Sequence, residues 1–184
     1  MLSAVFLDRD GVINENREDY VKSLDELKFL PGSVEAISRL TTAGFRVIVV
    51  SNQQGVGRGL IRHETLDQIN KALLDELASV GSSISGIYYC PHLKEEDCAC
   101  RKPKPGLLLR AAAELGFDVT RSVFVGDSTG DIEAGRAAGC QTILVLSGKT
   151  AEHQVDGLRV RPDYVVPNLS EAVDLIVGSF TPVI

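Results

Sequence analysis

The sequence predicts an α/β protein built on a doubly wound, mostly parallel sheet, and two observations carry that prediction. Short apolar, β-branched runs alternate with segments of helical periodicity along the whole chain, and no repeat, low-complexity tract or Pro/Gly-rich linker divides them. Acidic and hydroxyl side chains stand at the ends of three of these runs, the edge where parallel sheets place their ligands.

Taken in order, the strands are expected over residues 4–7 (AVFL, stopped by Asp8), 46–51 (RVIVVS), 87–90 (IYYC), 122–126 (SVFVG), 142–146 (TILVL) and, shortest, 164–166 (YVV). Helices are expected between them over 33–43, 64–80, 105–115, 129–138 and 170–177. In the second of these, Ile69, Leu73, Leu77 and Val80 recur at helical spacing and should face the sheet. Two connections, 11–32 and 91–104, exceed the ~12 residues beyond which a loop inside a compact domain is usually functional. A chain of 184 residues suits one domain, taken as 1–184.

Composition narrows the partners. With 44% hydrophobic and 24% charged residues the chain reads as an ordinary soluble protein, and a net charge of −6 argues against the broad basic face that nucleic acid requires. The opening MLSAVFLDRDG has no basic leader, and its apolar run is broken by Asp8, so neither a signal peptide nor a membrane span is expected. The expectation is a cytoplasmic monomer acting on a small molecule.

VFLDRDGVIN places Asp8 and Asp10 just past the first strand, where alternate residues of an extended chain point the same way. Like charges this close need a cation or a shared proton. VIVVSNQQG ends its strand on Ser51, and SVFVGDSTGD ends on Asp127 with Asp131 in the helix that follows. Ser128 and Asp131 form an S-x-x-D helix start, so capping alone would explain them, but not Asp127. Asp8, Asp127 and a main-chain carbonyl offer the few hard oxygen ligands that Mg²⁺ takes, and a carboxylate can itself attack phosphorus.

The ordered set D-x-D-G, S-N-Q, R-K-P and G-D-x-x-x-D, running from Asp8 to Asp131, resembles the haloacid dehalogenase superfamily of phosphohydrolases. The resemblance implies that superfamily's α/β fold, with Asp8 as nucleophile through an aspartyl-phosphate and Asp10 as acid and then base. It implies that Ser51 and Lys102 hold the transferring phosphoryl group, and that Asp8, the Asp10 carbonyl and Asp127 bind Mg²⁺, with Asp131 in or near the shell around them.

A second cluster lies in YYCPHLKEEDCACRKPKPG. Cys90 and His92 are two apart, as are Cys98 and Cys100, and two such pairs across a short loop can close a tetrahedral Cys3His site of the kind that holds structural Zn²⁺. The alternative is a set of free thiols in a mobile loop. Four protein ligands leave no open position, so this metal should not perform chemistry. Cys140 reads as a small buried apolar residue.

CPH followed by CxCRKP is similar to two branches of the superfamily, heptose bisphosphate phosphatases and histidinol-phosphate phosphatases. Both lack a large cap domain and use a zinc-stabilised loop to shape the pocket. Asn14, NQQGVGRG with Gln54 and Arg58, and RKPKPG favour the heptose branch. That resemblance implies release of the 7-phosphate from a heptose 1,7-bisphosphate, with Arg101 meeting the second phosphate. It also puts Asn16, Tyr20, Asn52, Gln53 and Ser128 in substrate-contact regions. A phospho-accepting signalling domain is the competing reading from another class, since such domains also gather acids, a hydroxyl and a lysine at strand ends. Asp10 argues against it by supplying the group needed for turnover. GVGRGL misses a dinucleotide fingerprint by one place, LSGKT lacks the first glycine of a phosphate-binding loop, and His63 and His153 have no ligand-spaced partners.

Overall fold

The protein's computed structural model describes residues 1 and 3–183. Six strands, β1 (Ala4–Leu7), β2 (Val47–Asn52), β3 (Gly86–Cys90), β4 (Ser122–Gly126), β5 (Gln141–Val145) and β6 (Tyr164–Val166), form one sheet in the order β3-β2-β1-β4-β5-β6. Every pairing is parallel, with Val5 opposite Val47 and Val123 in the centre. The helices are α1 (Ser33–Thr42), α2 (Gln54–Gly57), α3 (His63–Ser79), α4 (Gly106–Leu115), α5 (Thr129–Ala138) and α6 (Leu169–Ser179).

The central strands are buried almost throughout, and apolar except at their ends, because both faces are covered. Val5, Leu7, Val49 and Val125 look into a core shared with Ile37 and Leu40 of α1, Leu73 and Leu77 of α3, and Val173 and Ile176 of α6. Ala4, Phe6, Val50 and Phe124 look the other way, onto Leu107, Leu108 and Ala111 of α4 and Ala134 of α5. Fully burying one such side chain is worth about 1.5–3 kcal/mol, so the two cores drive the fold.

The expected elements form with shifts of one or two residues at their ends. One inward residue is corrected. Val80 is 43% exposed, because α3 ends at Ser79 and Val80 caps it, while Leu66, one turn upstream of Asn70, is fully buried. The short α2, absent from the sequence reading, turns the chain directly after β2. No helix among the described residues is long and apolar enough to cross a membrane.

The chain leaves β1, builds outward through β2 to β3, then returns to lay β4 on the other side of β1. That reversal opens a crevice beyond the carboxyl ends of β1 and β4, where open α/β sheets bind ligands. Asp8 follows β1 and Asp127 follows β4.

Candidate active site

The acidic groups expected at the strand ends converge on a buried ammonium. Lys102 lies 3% exposed with Nζ 2.8 Å from Asp8 Oδ1 and 2.7 Å from Asp131 Oδ1. A third contact, 2.9 Å, goes to the carbonyl of Val50. Asn52 sets this lysine's backbone, donating to its carbonyl and accepting from its N–H, both at 3.1 Å. Burial alone would lower the Lys102 pKa, but Asp131 and Asp8 outweigh it and hold the ammonium charged.

Asp127 stands beside this pair. Its Oδ2 accepts from the Lys149 N–H at 2.7 Å, while its Oδ1 is buried with no hydrogen-bond partner among the described residues. Burial, reinforced by the charges of Asp8 and Asp131, pushes its carboxyl up to about 8. Burial likewise raises Asp8 to about 6, against the opposing pull of Lys102. Two carboxyls held this far above their ordinary value, one with an orphaned oxygen, fit a divalent cation, which would neutralise the charge and satisfy the oxygen. One carboxylate oxygen from each of Asp8, Asp127 and Asp131 falls within 4.8 Å of the others. Asp131 already accepts from the Asp127 and Ser128 N–H groups and the Ser128 hydroxyl, at 3.2, 3.0 and 2.6 Å, and so serves mainly to fix the turn.

The turn geometry depends on glycine. Gly11 has φ +90, and a Cβ there would meet Asp127 Oδ2 at 2.2 Å; one on Gly148 would meet the same oxygen at 2.0 Å. The Asp127 carboxylate is thus seated between two backbones that only glycine allows.

Asp10 is held separately. Its Oδ1 accepts from Asn14 Nδ2 at 2.8 Å and its Oδ2 from Gln53 Nε2 at 2.8 Å, while the Arg9 guanidinium reaches both oxygens. Burial works to raise this carboxyl, but Arg9 and the two amides prevail and hold it below the usual carboxylate range. Gln53 Nε2 also donates to Ser51 Oγ at 2.7 Å, which leaves the serine's own hydrogen free to be donated elsewhere.

A cavity of about 630 Å³ opens over Asp10, lined among others by Asn16, Arg17, Tyr20, Asn52, Gln54, Arg101 and Lys149. It shares Asp10, Asn52 and Lys149 with an adjacent crevice of about 50 Å³ between Asp8, Ser51, Lys102, Ser128 and Asp131. Arg101 is aimed by two contacts, Nη1 to the His92 carbonyl at 3.3 Å and Nη2 to Gln54 Oε1 at 3.1 Å.

Asn16, Tyr20, Asn52, Gln54, Arg101 and Ser128 therefore lie where a ligand could reach them. Three expected contacts sit elsewhere. Asn14 is fully buried behind Asp10, Gln53 is buried between Asp10 and Ser51, and Arg58 projects to solvent from the end of α2. Sequence reasoning missed Arg9, Arg17 and Lys149. Lys149 belongs to the LSGKT segment, which is no phosphate-binding loop but does fold over Asp127, with Thr150 N–H donating to the Asp127 carbonyl at 3.1 Å.

Behind Arg101, Cys90 Sγ, His92 Nδ1, Cys98 Sγ and Cys100 Sγ close a cluster with neighbouring contacts of 3.2–3.5 Å. Tetrahedral Zn²⁺, with bonds of ~2.3 Å to sulfur and ~2.0–2.1 Å to nitrogen, spaces its ligands at roughly 3.5–3.8 Å, so the four groups can hold zinc after a small outward adjustment.

The HAD-hydrolase-like family model matches residues 99–172. A Pseudomonas aeruginosa D-glycero-beta-D-manno-heptose-1,7-bisphosphate 7-phosphatase is 46% identical over 80% of this chain and 83% of its own length. The Pasteurella multocida enzyme of the same name is 39% identical over 97% of this chain and 98% of its own. This chain belongs to the heptose-bisphosphate 7-phosphatase family. A solved member, the D,D-heptose 1,7-bisphosphate phosphatase of B. bronchiseptica complexed with magnesium and phosphate, superposes with a TM-score of 0.90 at 35% identity, covering 97% of this chain and all of that one. Membership makes the chain a phosphomonoesterase, and the magnesium and phosphate of that heptose-bisphosphate phosphatase agree with a crevice that offers carboxylates, an ammonium and a hydroxyl together.

Proposed function

We propose that the protein removes the 7-phosphate of D-glycero-β-D-manno-heptose 1,7-bisphosphate and leaves the 1-phosphate in place. The observation that carries this is the two-part cavity: a phosphoryl-sized crevice at Asp8 and Lys102, adjacent to a larger chamber lined by Arg17 and Arg101. Two separated cationic stations suit a substrate with an anion at each end. The β anomer follows the names of the relatives.

Asp8 attacks phosphorus in line, forming the Asp8–phosphoryl bond as the P–O7 bond breaks, while Asp10, which takes up a proton as the anionic substrate binds beside it, gives that proton to the departing O7. Water then passes a proton to Asp10 and attacks the same phosphorus, releasing Asp8 and inorganic phosphate. Ser51 and Lys102 neutralise the phosphoryl oxygens throughout. Asp8, the Asp10 carbonyl and Asp127 would hold Mg²⁺, which when bound supplies positive charge against the phosphoryl oxygens. Arg101 offers its planar fork to the 1-phosphate, with Arg17 beside it. Cys90, His92, Cys98 and Cys100 would hold a structural Zn²⁺ that fixes the segment carrying Arg101.

In this reading residues 1–184 work as one phosphatase domain, a cytoplasmic monomer with no nucleic-acid or membrane partner. A phosphate-release panel with Mg²⁺, comparing both anomers of the heptose bisphosphate with histidinol phosphate, tests the substrate. The β-bisphosphate should give the highest kcat/KM; preference for histidinol phosphate would overturn the assignment.

A further inference from the structure

Arg9 is the largest side chain to be fully buried, at 1% exposure, and it sits between the two acids of the reaction centre. Burying a guanidinium costs several kcal/mol unless it is paired, so its partners disclose its use. Its Nη2 is shared between the oxygens of Asp10, 3.0 Å from Oδ1 and 3.1 Å from Oδ2, and its Nε lies 3.3 Å from Oδ1. The remaining Nη1 reaches Asn70 Oδ1, on α3, at 3.4 Å. No other described side chain accepts from this guanidinium.

Resting on the reading of Asp10 as the acid/base group, we propose that Arg9 is the positioning residue for that carboxyl and that Asn70 anchors Arg9 from α3. The donors divide the two oxygens. Oδ1 receives Arg9 Nε, Arg9 Nη2 and the buried Asn14 amide, which saturates it. Oδ2 receives Gln53 and the shared Nη2. When Oδ2 takes a proton, Nη2 keeps its bond to Oδ1, so the guanidinium retains a partner in both protonation states. Oδ1 is therefore the pinned oxygen and Oδ2 the one that exchanges the proton. Asn70 stops the guanidinium from rotating off the carboxyl at its far end.

The test compares kcat/KM, which reports transfer to the enzyme, for two substrates with Mg²⁺ present. Heptose bisphosphate has a primary alkoxide leaving group that needs a proton; 4-nitrophenyl phosphate has a phenolate that leaves without one. General-acid help is worth ~10²–10⁴-fold, so misplacing the acid should change the alkyl-to-aryl ratio rather than both rates together. Arg9→Lys keeps the charge but loses the fork, and the ratio should fall by at least ~10-fold. Asn70→Ala, at a half-buried position, should lower it by ~3-fold or more. Asp10→Asn provides the reference: if it leaves the ratio unchanged, Asp10 is not the acid and the functional reading itself fails. If Asp10→Asn lowers the ratio while Arg9→Lys and Asn70→Ala do not, or lose both activities in parallel, the positioning role is overturned. Should Arg9→Lys fail to fold by circular dichroism, Asn70→Ala decides the matter alone.

Discussion

At the scale of single residues, the site is built from groups whose burial would be costly without one another. Asp127 has a buried oxygen with no hydrogen-bond partner among the described residues, and its carboxylate is hemmed in by the backbones of Gly11 and Gly148. Gly11→Ala would strain a residue at φ +90 and push a methyl group onto the Asp127 carboxylate. The expected outcome is a loss of more than about 1 kcal/mol in urea unfolding, with weakened activation by Mg²⁺ in a titration of phosphate release. Activation unchanged from wild type would show that Asp127 does not serve the metal. The principal acids were legible in the sequence because strand ends advertise them: Asp8, Asp10 and Asp127 each follow an apolar run. Arg9 was not, since an arginine between two aspartates on a turn reads as solvated, and only the fold reveals that it is sealed inside. Asn14 and Gln53 were noticed for the wrong reason; their amides face carboxyl and hydroxyl groups of the protein rather than the cavity.

At the scale of elements, the loop between β3 and α4 joins two functions end to end. Its three cysteines and one histidine make the sequence signal, but the loop also carries Arg101, whose guanidinium donates to the His92 carbonyl within it. Cys98→Ser should therefore lower the thermal midpoint and raise KM for the bisphosphate more than for 4-nitrophenyl phosphate, which lacks the second phosphate. Elemental analysis should find about one zinc per chain in the wild type and less in the variant. Equal KM effects on the two substrates would detach the loop from recognition of the second phosphate. The β1–α1 connection was harder to foresee. It has no periodicity, and its course is set by tertiary contacts such as Ser33 Oγ donating to the Ile13 carbonyl at 2.7 Å, so Arg17 could not be placed over the cavity from sequence alone.

At the scale of the whole molecule, the parallel order and the covered faces follow from continuous apolar strands alternating with amphipathic helices, which is why the architecture was readable and only element ends shifted. Reversal of the chain at β1 then brings Asp8 and Asp127 together across 119 positions of sequence. Gathering these acids links stability to pH. Without Mg²⁺, and with zinc retained, Asp8 and Asp127 have folded values of about 6 and about 8 against 3.8 ordinarily, so the native state binds more protons than the unfolded state between roughly pH 4 and 8. Stability should decline as pH rises through that window, and the increment in thermal midpoint from saturating Mg²⁺ should be larger at about pH 8 than at about pH 5. A midpoint that rises with pH in magnesium-free protein would contradict this linkage. The central claim is that Asp8 cleaves the primary phosphate of a sugar bisphosphate, and ³¹P NMR of D-glycero-β-D-manno-heptose 1,7-bisphosphate incubated with Mg²⁺ and either wild type or Asp8→Asn tests it most directly. Wild type should release one equivalent of phosphate and leave the anomeric resonance intact, while Asp8→Asn leaves both resonances unchanged; loss of the anomeric phosphate, or equal turnover by the variant, would contradict the account.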